Sequence, residues 1–159
     1  MSVLTNEQKV EILSEIVAIP SVNDNELAVA QYLAQWLNQY DIDTHIDYIS
    51  GQRANLIATI GSGKPVVAVS GHMDVVNEGN HDDWTSPPFE LTERNGHLYG
   101  RGAADMKSGL AALVIAMIEI KASGQLKNGT IKLLATAGEE MEQAGSEQLY
   151  RKGYIDDVD

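Results

Sequence analysis

The sequence predicts an α/β fold: a three-layer domain whose mixed, largely parallel central sheet is flanked by helices. Three observations carry that expectation. Segments of helical periodicity alternate with apolar runs of strand length. Two of those runs, 65–70 and 130–135, are largely apolar, which suits strands covered on both faces. Glycine-rich turns separate the runs, and no repeat, low-complexity stretch or linker divides the 159 residues, so they are read as one domain, 1–159.

The elements follow in order. Thr5 and Gln8 form a capping-box pattern, and Val10, Leu13, Ile16 and Val17 recur at helical spacing until Pro20 stops the helix. Asn23 or Asn25 is placed to cap a second helix, whose apolar face is Leu27, Val29, Ala30, Leu33, Ala34 and Leu37. Residues 44–49 alternate as a strand does, 55–60 read as a second strand, 61–65 as a turn and 65–70 as a third strand. Asn95-Gly96 marks a hairpin between 89–92 and 97–99, because both residues tolerate positive φ. Residues 107–121 read as a helix that is apolar nearly all round from Leu110 to Ile118, hence buried, and Gly124 ends it. A strand at 130–135 and a helix at 142–152 complete the reading.

Composition narrows the chemistry. The net charge of −12 argues against nucleic acid or an anionic membrane as partner. There is no cysteine, so a transition-metal site must use histidine and carboxylate. Residues 1–10 show no secretory pattern, and the longest apolar run, 110–118, is too short to span a bilayer, so a soluble cytoplasmic protein is expected.

Three segments carry candidate chemistry: Ser70-Gly71-His72-Met73-Asp74, Gly100-Arg101-Gly102-Ala103-Ala104-Asp105 and Ala137-Gly138-Glu139-Glu140. His72 and the glutamates each follow an apolar strand, and functional groups of open α/β sheets gather at the carboxyl ends of strands. Asp105, just before the buried helix, can return to the same edge. Imidazole and carboxylate bind zinc when thiolate is lacking, and a carboxylate can bridge two ions. Of two adjacent glutamates, one can hold metal while the other takes a proton from water. Asp74 stands where it can accept the other ring nitrogen of His72 and fix its tautomer. Each item has a plainer reading beside it: a structural histidine, acids at a helix start, an N-cap at Asp105. His45, His81 and His97 are read as structural or exposed, and 84–89 as a wall beside the site or a packed turn. No complete nucleotide-binding glycine motif appears.

Together these segments resemble the di-zinc metallopeptidase and amidohydrolase family of succinyl-diaminopimelate desuccinylase, acetylornithine deacetylase, aminoacylase and related di- and tripeptidases and carboxypeptidases. The resemblance runs over nearly the whole chain and is densest from Ser70 to Glu140. It implies that His72 binds one zinc, Asp105 bridges two and Glu140 binds the second. Glu139 would be general base and Asp74 would orient His72, both as parts of the catalytic apparatus, and the peptide bond after Asp105 would be cis. The implied cofactor is a pair of zinc ions, with cobalt or manganese as substitutes. The implied partner is a small N-acyl amino acid or short peptide, with the complete enzyme a homodimer. The wording of the motifs is similar above all to the desuccinylase and deacetylase branch.

Family members carry a further acidic ligand, a later histidine and a lid domain, none of which lies in these 159 residues. The resemblance therefore implies an incomplete catalytic domain with the lid absent, in which each zinc has two protein ligands and activity is low. The alternative is a folded, catalytically incompetent fragment that self-associates or pairs with the rest of its chain.

Overall fold

A computed structural model describes residues 2–159; Met1, where the predicted domain starts, lies outside them. The elements run α1 (Asn6–Ala18), α2 (Leu27–Asn38), β1 (Asp43–Ser50), β2 (Arg53–Ser62), β3 (Val66–His72), β4 (Thr92–Arg94), β5 (His97–Tyr99), α3 (Ser108–Ser123), β6 (Gly129–Thr136) and α4 (Ala144–Arg151). The capping box of α1 is complete: Gln8 N donates to Thr5 Oγ1 at 3.2 Å and Thr5 N to Gln8 Oε1 at 2.9 Å. Its buried stripe is Ile12, Leu13, Ile16 and Val17; Val10, expected there, faces solvent. Helix α2 buries all six predicted residues, but neither Asn23 nor Asn25 caps it. The Asn25 carboxamide turns back to the carbonyls of Val22 and Asn23, and the Leu27 amide donates to Gln52 O at 2.8 Å.

The main sheet has the order β1-β2-β6-β3, with β4-β5 as a separate hairpin. It is mixed, as expected, but leans antiparallel: β1–β2 and β2–β6 are antiparallel, and only β3–β6 is parallel. Only Gly51 and Gln52 join β1 to β2, and so short a link permits a hairpin but no crossover.

Side-chain alternation along the strands divides the core. Leu56, Ala58, Ile60, Leu133 and Ala135 face the apolar stripes of α1, α2 and α3. Ile57 and Leu134 point to the opposite face, where Leu149 of α4 covers them beside Tyr154. Three layers result. Helix α3 starts at Ser108 because Lys107 belongs to an irregular turn, Ala103–Lys107, and it ends at Gly124, whose φ is +60°. Helix α4 is shorter than the predicted 142–152, because residues before Ala144 form a turn. Asp159 returns to the outer edge of β3, where its amide donates to Val66 O at 3.0 Å.

Candidate metal centre

His72 closes β3 and pairs in register with Thr136, which closes β6. The strands are parallel neighbours, so both carboxyl ends open on one rim. Met73 N donates to Thr136 O at 2.9 Å and carries the contact one residue further. Ser21 clamps the segment beyond: its hydroxyl donates to Met73 O at 2.7 Å, and Val75 N donates to Ser21 O at 3.0 Å.

Asp105 reaches the rim from the irregular turn before α3. It is not the N-cap of that helix: its backbone is extended (φ −125°, ψ 103°) and its side chain is 77% exposed beside His72. The Asp105–Met106 peptide bond is cis, as the resemblance implied. The Met106 side chain folds beneath, and its Sδ accepts the His72 amide at 3.3 Å. Gly71 leaves room for it, since a Cβ there would lie 3.0 Å from Met106 Cε.

The predicted groups meet. His72 Nε2 lies 3.1 Å from Asp105 Oδ1 and 3.7 Å from Glu139 Oε2. His72, Asp105 and Glu140 each offer a ligand atom, all within 4.8 Å of one another. The Nδ1–H of His72 can donate to the Asp74 carbonyl oxygen at 3.0 Å, which makes Nε2 the ring nitrogen turned toward the carboxylates. The Asp74 carboxylate stands beside Nδ1 of the same ring and has a second part as well. Its Oδ1 stands 3.6 Å from Nδ1, while its two oxygens accept the amides of Glu139 at 3.1 Å and Glu140 at 2.9 Å. Asp74 therefore links the histidine segment to the glutamate turn.

Electrostatics reflect this crowding. Hydrogen bonding to Asp74 raises the His72 pKa to about 9, against the opposing effect of burial and with help from Asp105. Burial pushes the Asp74 carboxyl up, but hydrogen bonds from His72, Glu140 and Glu139 outweigh it and hold the group below its ordinary value. Burial and the neighbouring charges of Asp105, Glu139 and Asp74 push Glu140 up. An imidazole whose Nε2 can exchange its proton for a cation, set among converging carboxylates, is a donor set that fits a divalent metal ion.

The other histidines stay apart. His45 stacks on Tyr154 with ring centres 6.1 Å apart, His81 faces Glu78 at 3.1 Å and His97 faces its neighbour Asn95 O at 3.0 Å. Trp84, Thr85 and Ser86 form one wall of a hollow of about 440 Å³ that extends to Ala104, next to Asp105. Sequence reasoning assigned no role to Asn55, Arg53 and Lys107, which pack beneath the site. Only Asn55 left a trace in the sequence, as a polar residue opening the apolar run 55–60; Arg53 and Lys107 stand at element boundaries, where the sequence does not tell burial from exposure.

A model of peptidase family M20/M25/M40 matches residues 68–159, more than half of the chain. The chain belongs to that family. It is 58% identical over 158 residues to a probable succinyl-diaminopimelate desuccinylase of Staphylococcus epidermidis, covering 99% of this chain and 39% of that protein. It is 40% identical over 137 residues to the succinyl-diaminopimelate desuccinylase of Bordetella parapertussis, covering 86% of this chain and 36% of that one. Among solved structures it superposes on human carnosine dipeptidase 1 with a TM-score of 0.80 and 28% identity, over 96% of this chain and 37% of that chain. This M20 chain thus spans about two fifths of the curated relatives it matches. None of its helices, among the described residues, is long and apolar enough to cross a membrane.

Proposed function

We propose that residues 1–159 are the N-terminal portion of the catalytic domain of a metal-dependent amide hydrolase that removes an acyl group, succinyl foremost, from an N-acyl amino acid. The observation that carries this reading is the convergence of His72, Asp105 and Glu140 within 4.8 Å. The names of the relatives support the substrate class. In this reading His72, Asp105 and Glu140 would hold a pair of zinc ions, with the Asp105 carboxylate shared between them and cobalt or manganese as substitutes. A bound cation supplies Lewis acidity toward water and the amide carbonyl. Glu139, beside His72 Nε2 and half exposed, takes the proton of the attacking water and delivers it to the amide nitrogen as the C–N bond breaks. Asp74 keeps both glutamate amides in place throughout. The substrate is a small molecule, and the expected compartment is the cytoplasm.

Calorimetric titration of Zn²⁺ tests the assignment. The metal-free chain takes up Zn²⁺ weakly, His72→Asn abolishes uptake, and Glu139→Gln preserves it. In a protein of the relatives' length, Glu139→Gln abolishes release of the free amine from an N-succinyl amino acid while leaving the metals bound. Failure of the wild-type chain to bind any divalent cation refutes the reading.

The outer edge of β3 favours a second reading. Val67 is 51% exposed there, above an apolar hollow of about 310 Å³ lined also by Val69, Leu113 and Ile120. In this reading the 159 residues are catalytically incompetent alone and pair through β3 with a second copy or with the remainder of the protein. Sedimentation tests it: Val67→Lys abolishes concentration-dependent association, and a wild-type chain that is monomeric at all concentrations rules out self-pairing.

A further inference from the structure

We propose that Asn55, assisted by Arg53, is the positioning residue for the Glu139–Glu140 turn; this rests on the reading of those glutamates as proton acceptor and metal ligand. The sheet topology creates the opportunity. β2 runs antiparallel to β6, with Leu56 opposite Ala135. The amino end of β2 therefore reaches the same rim as the carboxyl ends of β6 and β3, and Arg53 and Asn55 stand directly beneath the turn.

Asn55 is fully buried. A carboxamide carries both a donor and an acceptor, so it can span an N–H and a C=O of another segment. Its Oδ1 accepts the Ala137 amide at 3.0 Å, and its Nδ2 donates to Gly145 O at 3.1 Å. The Gly145 amide donates to Ala137 O at 2.9 Å. These three bonds close the neck of the loop that runs from 137 to 145 and carries both glutamates. Within it, Gln143 N donates to Gly138 O at 2.7 Å. A side chain at Gly145 would strike Asn55 and the Ala137 backbone, so the neck is closed down to glycine contact.

Arg53 lies two residues earlier on β2, on the same face. Its guanidinium occupies the space a Cβ on Gly138 would need. It pairs with Asp24 at 2.9 Å, with Glu142 at 3.7 Å and with the buried Glu26 at 3.8 Å. The far limb of the loop, at Glu142, is thereby tied to the segment before α2. The turn is held from two sides: Asp74 grips the amides of Glu139 and Glu140, and β2 grips the neck and floor. With the neck open, the Asp74 bonds alone would leave the Glu140 carboxylate free to swing away from His72.

The test is Asn55→Asp, which keeps the shape and one acceptor but sets a carboxylate oxygen against Gly145 O. Amide hydrogen exchange followed by NMR is the first readout, and Co²⁺ titration with its visible absorption the second. In a folded variant the amides of Ala137, Glu139 and Glu140 exchange at least about tenfold faster, while those of the β3–β6 ladder keep their rates. Co²⁺ affinity falls by about 10–100-fold and the absorption band changes shape. Wild-type exchange rates at Glu139 and Glu140 in a folded Asn55→Asp chain overturn the proposal. Should that variant not fold, Arg53→Met decides by the same local rates: acceleration at those two amides supports the assignment, and unchanged rates overturn it. A wild-type chain that takes up no Co²⁺ defeats the functional reading, yet the exchange comparison still judges Asn55.

Discussion

Lys107, wholly buried, donates from Nζ to Ile16 O at 2.6 Å and to Ile19 O at 2.8 Å. The last carbonyls of a helix lack partners within it, and a cation there also complements the helix dipole. Here the cation comes from the turn that presents Asp105, so closing α1 and placing Asp105 are a single event. Burial pulls the ammonium's pKa down to about 7, against the pull of Asp74. Lys107→Met leaves the buried Ile16 carbonyl without a donor, while Ile19 O keeps the Ser21 amide at 2.8 Å, and lowers stability by about 1–3 kcal/mol for the one group left unpaired. Urea denaturation measures it, and an unchanged midpoint would contradict this account of α1.

Asp74 joins the histidine segment to the glutamate turn through the two amides it accepts. Asp74→Ala frees both amides and weakens divalent-cation binding by about 10–100-fold, the range seen when groups that orient ligands are lost. Calorimetry on the variant and the wild type gives the comparison.

Gly138 has φ +72° and lies against Arg53. Gly138→Ala destabilises the fold by about 1–3 kcal/mol through backbone strain, before any clash is counted. In an Arg53→Ala background the clash disappears while the strain remains, so the same substitution has a smaller effect. Equal losses in both backgrounds would show that Arg53 gives way without cost.

Asp47 is buried in β1 and accepts Lys152 Nζ at 2.6 Å and Gln148 Nε2 at 2.7 Å, which docks α4 on the sheet. Burial pushes its carboxyl up, but those hydrogen bonds prevail and hold its pKa below 3.8. The folded value is depressed, so its contribution is full above the unfolded value and is lost as pH falls through the folded one. Denaturation midpoints of the wild type should therefore drop between neutral pH and about pH 3 more steeply than those of Asp47→Asn.

Much of this was legible in the sequence because the signals were local. The Thr5–Gln8 cap, the six-residue face of α2 and the Asn95-Gly96 hairpin depend on neighbours in the chain, and all three stand in the structure. The convergence of His72, Asp105 and Glu140 was legible too, because strand ends in open sheets share a rim. What escaped was long-range. Strand periodicity says nothing about direction, so the antiparallel lean of the sheet was not visible. Asn55 makes its bonds 82 and 90 residues away, and Lys107 makes its bonds 91 and 88 residues away. The Asp74 carboxylate was placed beside the ring of His72, where it stands 3.6 Å from Nδ1, but its bonds to the amides of Glu139 and Glu140, 65 and 66 residues away, were not visible.

The pairing of His72 with Thr136 fixes where evolution can edit this chain. Deleting one residue within β3 or β6 would turn the imidazole or the glutamate turn toward the wrong side of the sheet. The excursion that leaves the rim after Val75 and returns at Gly100 is tied mainly in its second half, where Pro88 O accepts the Arg101 amide at 2.6 Å and Leu91 packs on the core. Its first half, between Val76 and Ser86, can change length while His72, Asp105 and Glu140 stay where they are, so variation can accumulate there without disturbing their convergence.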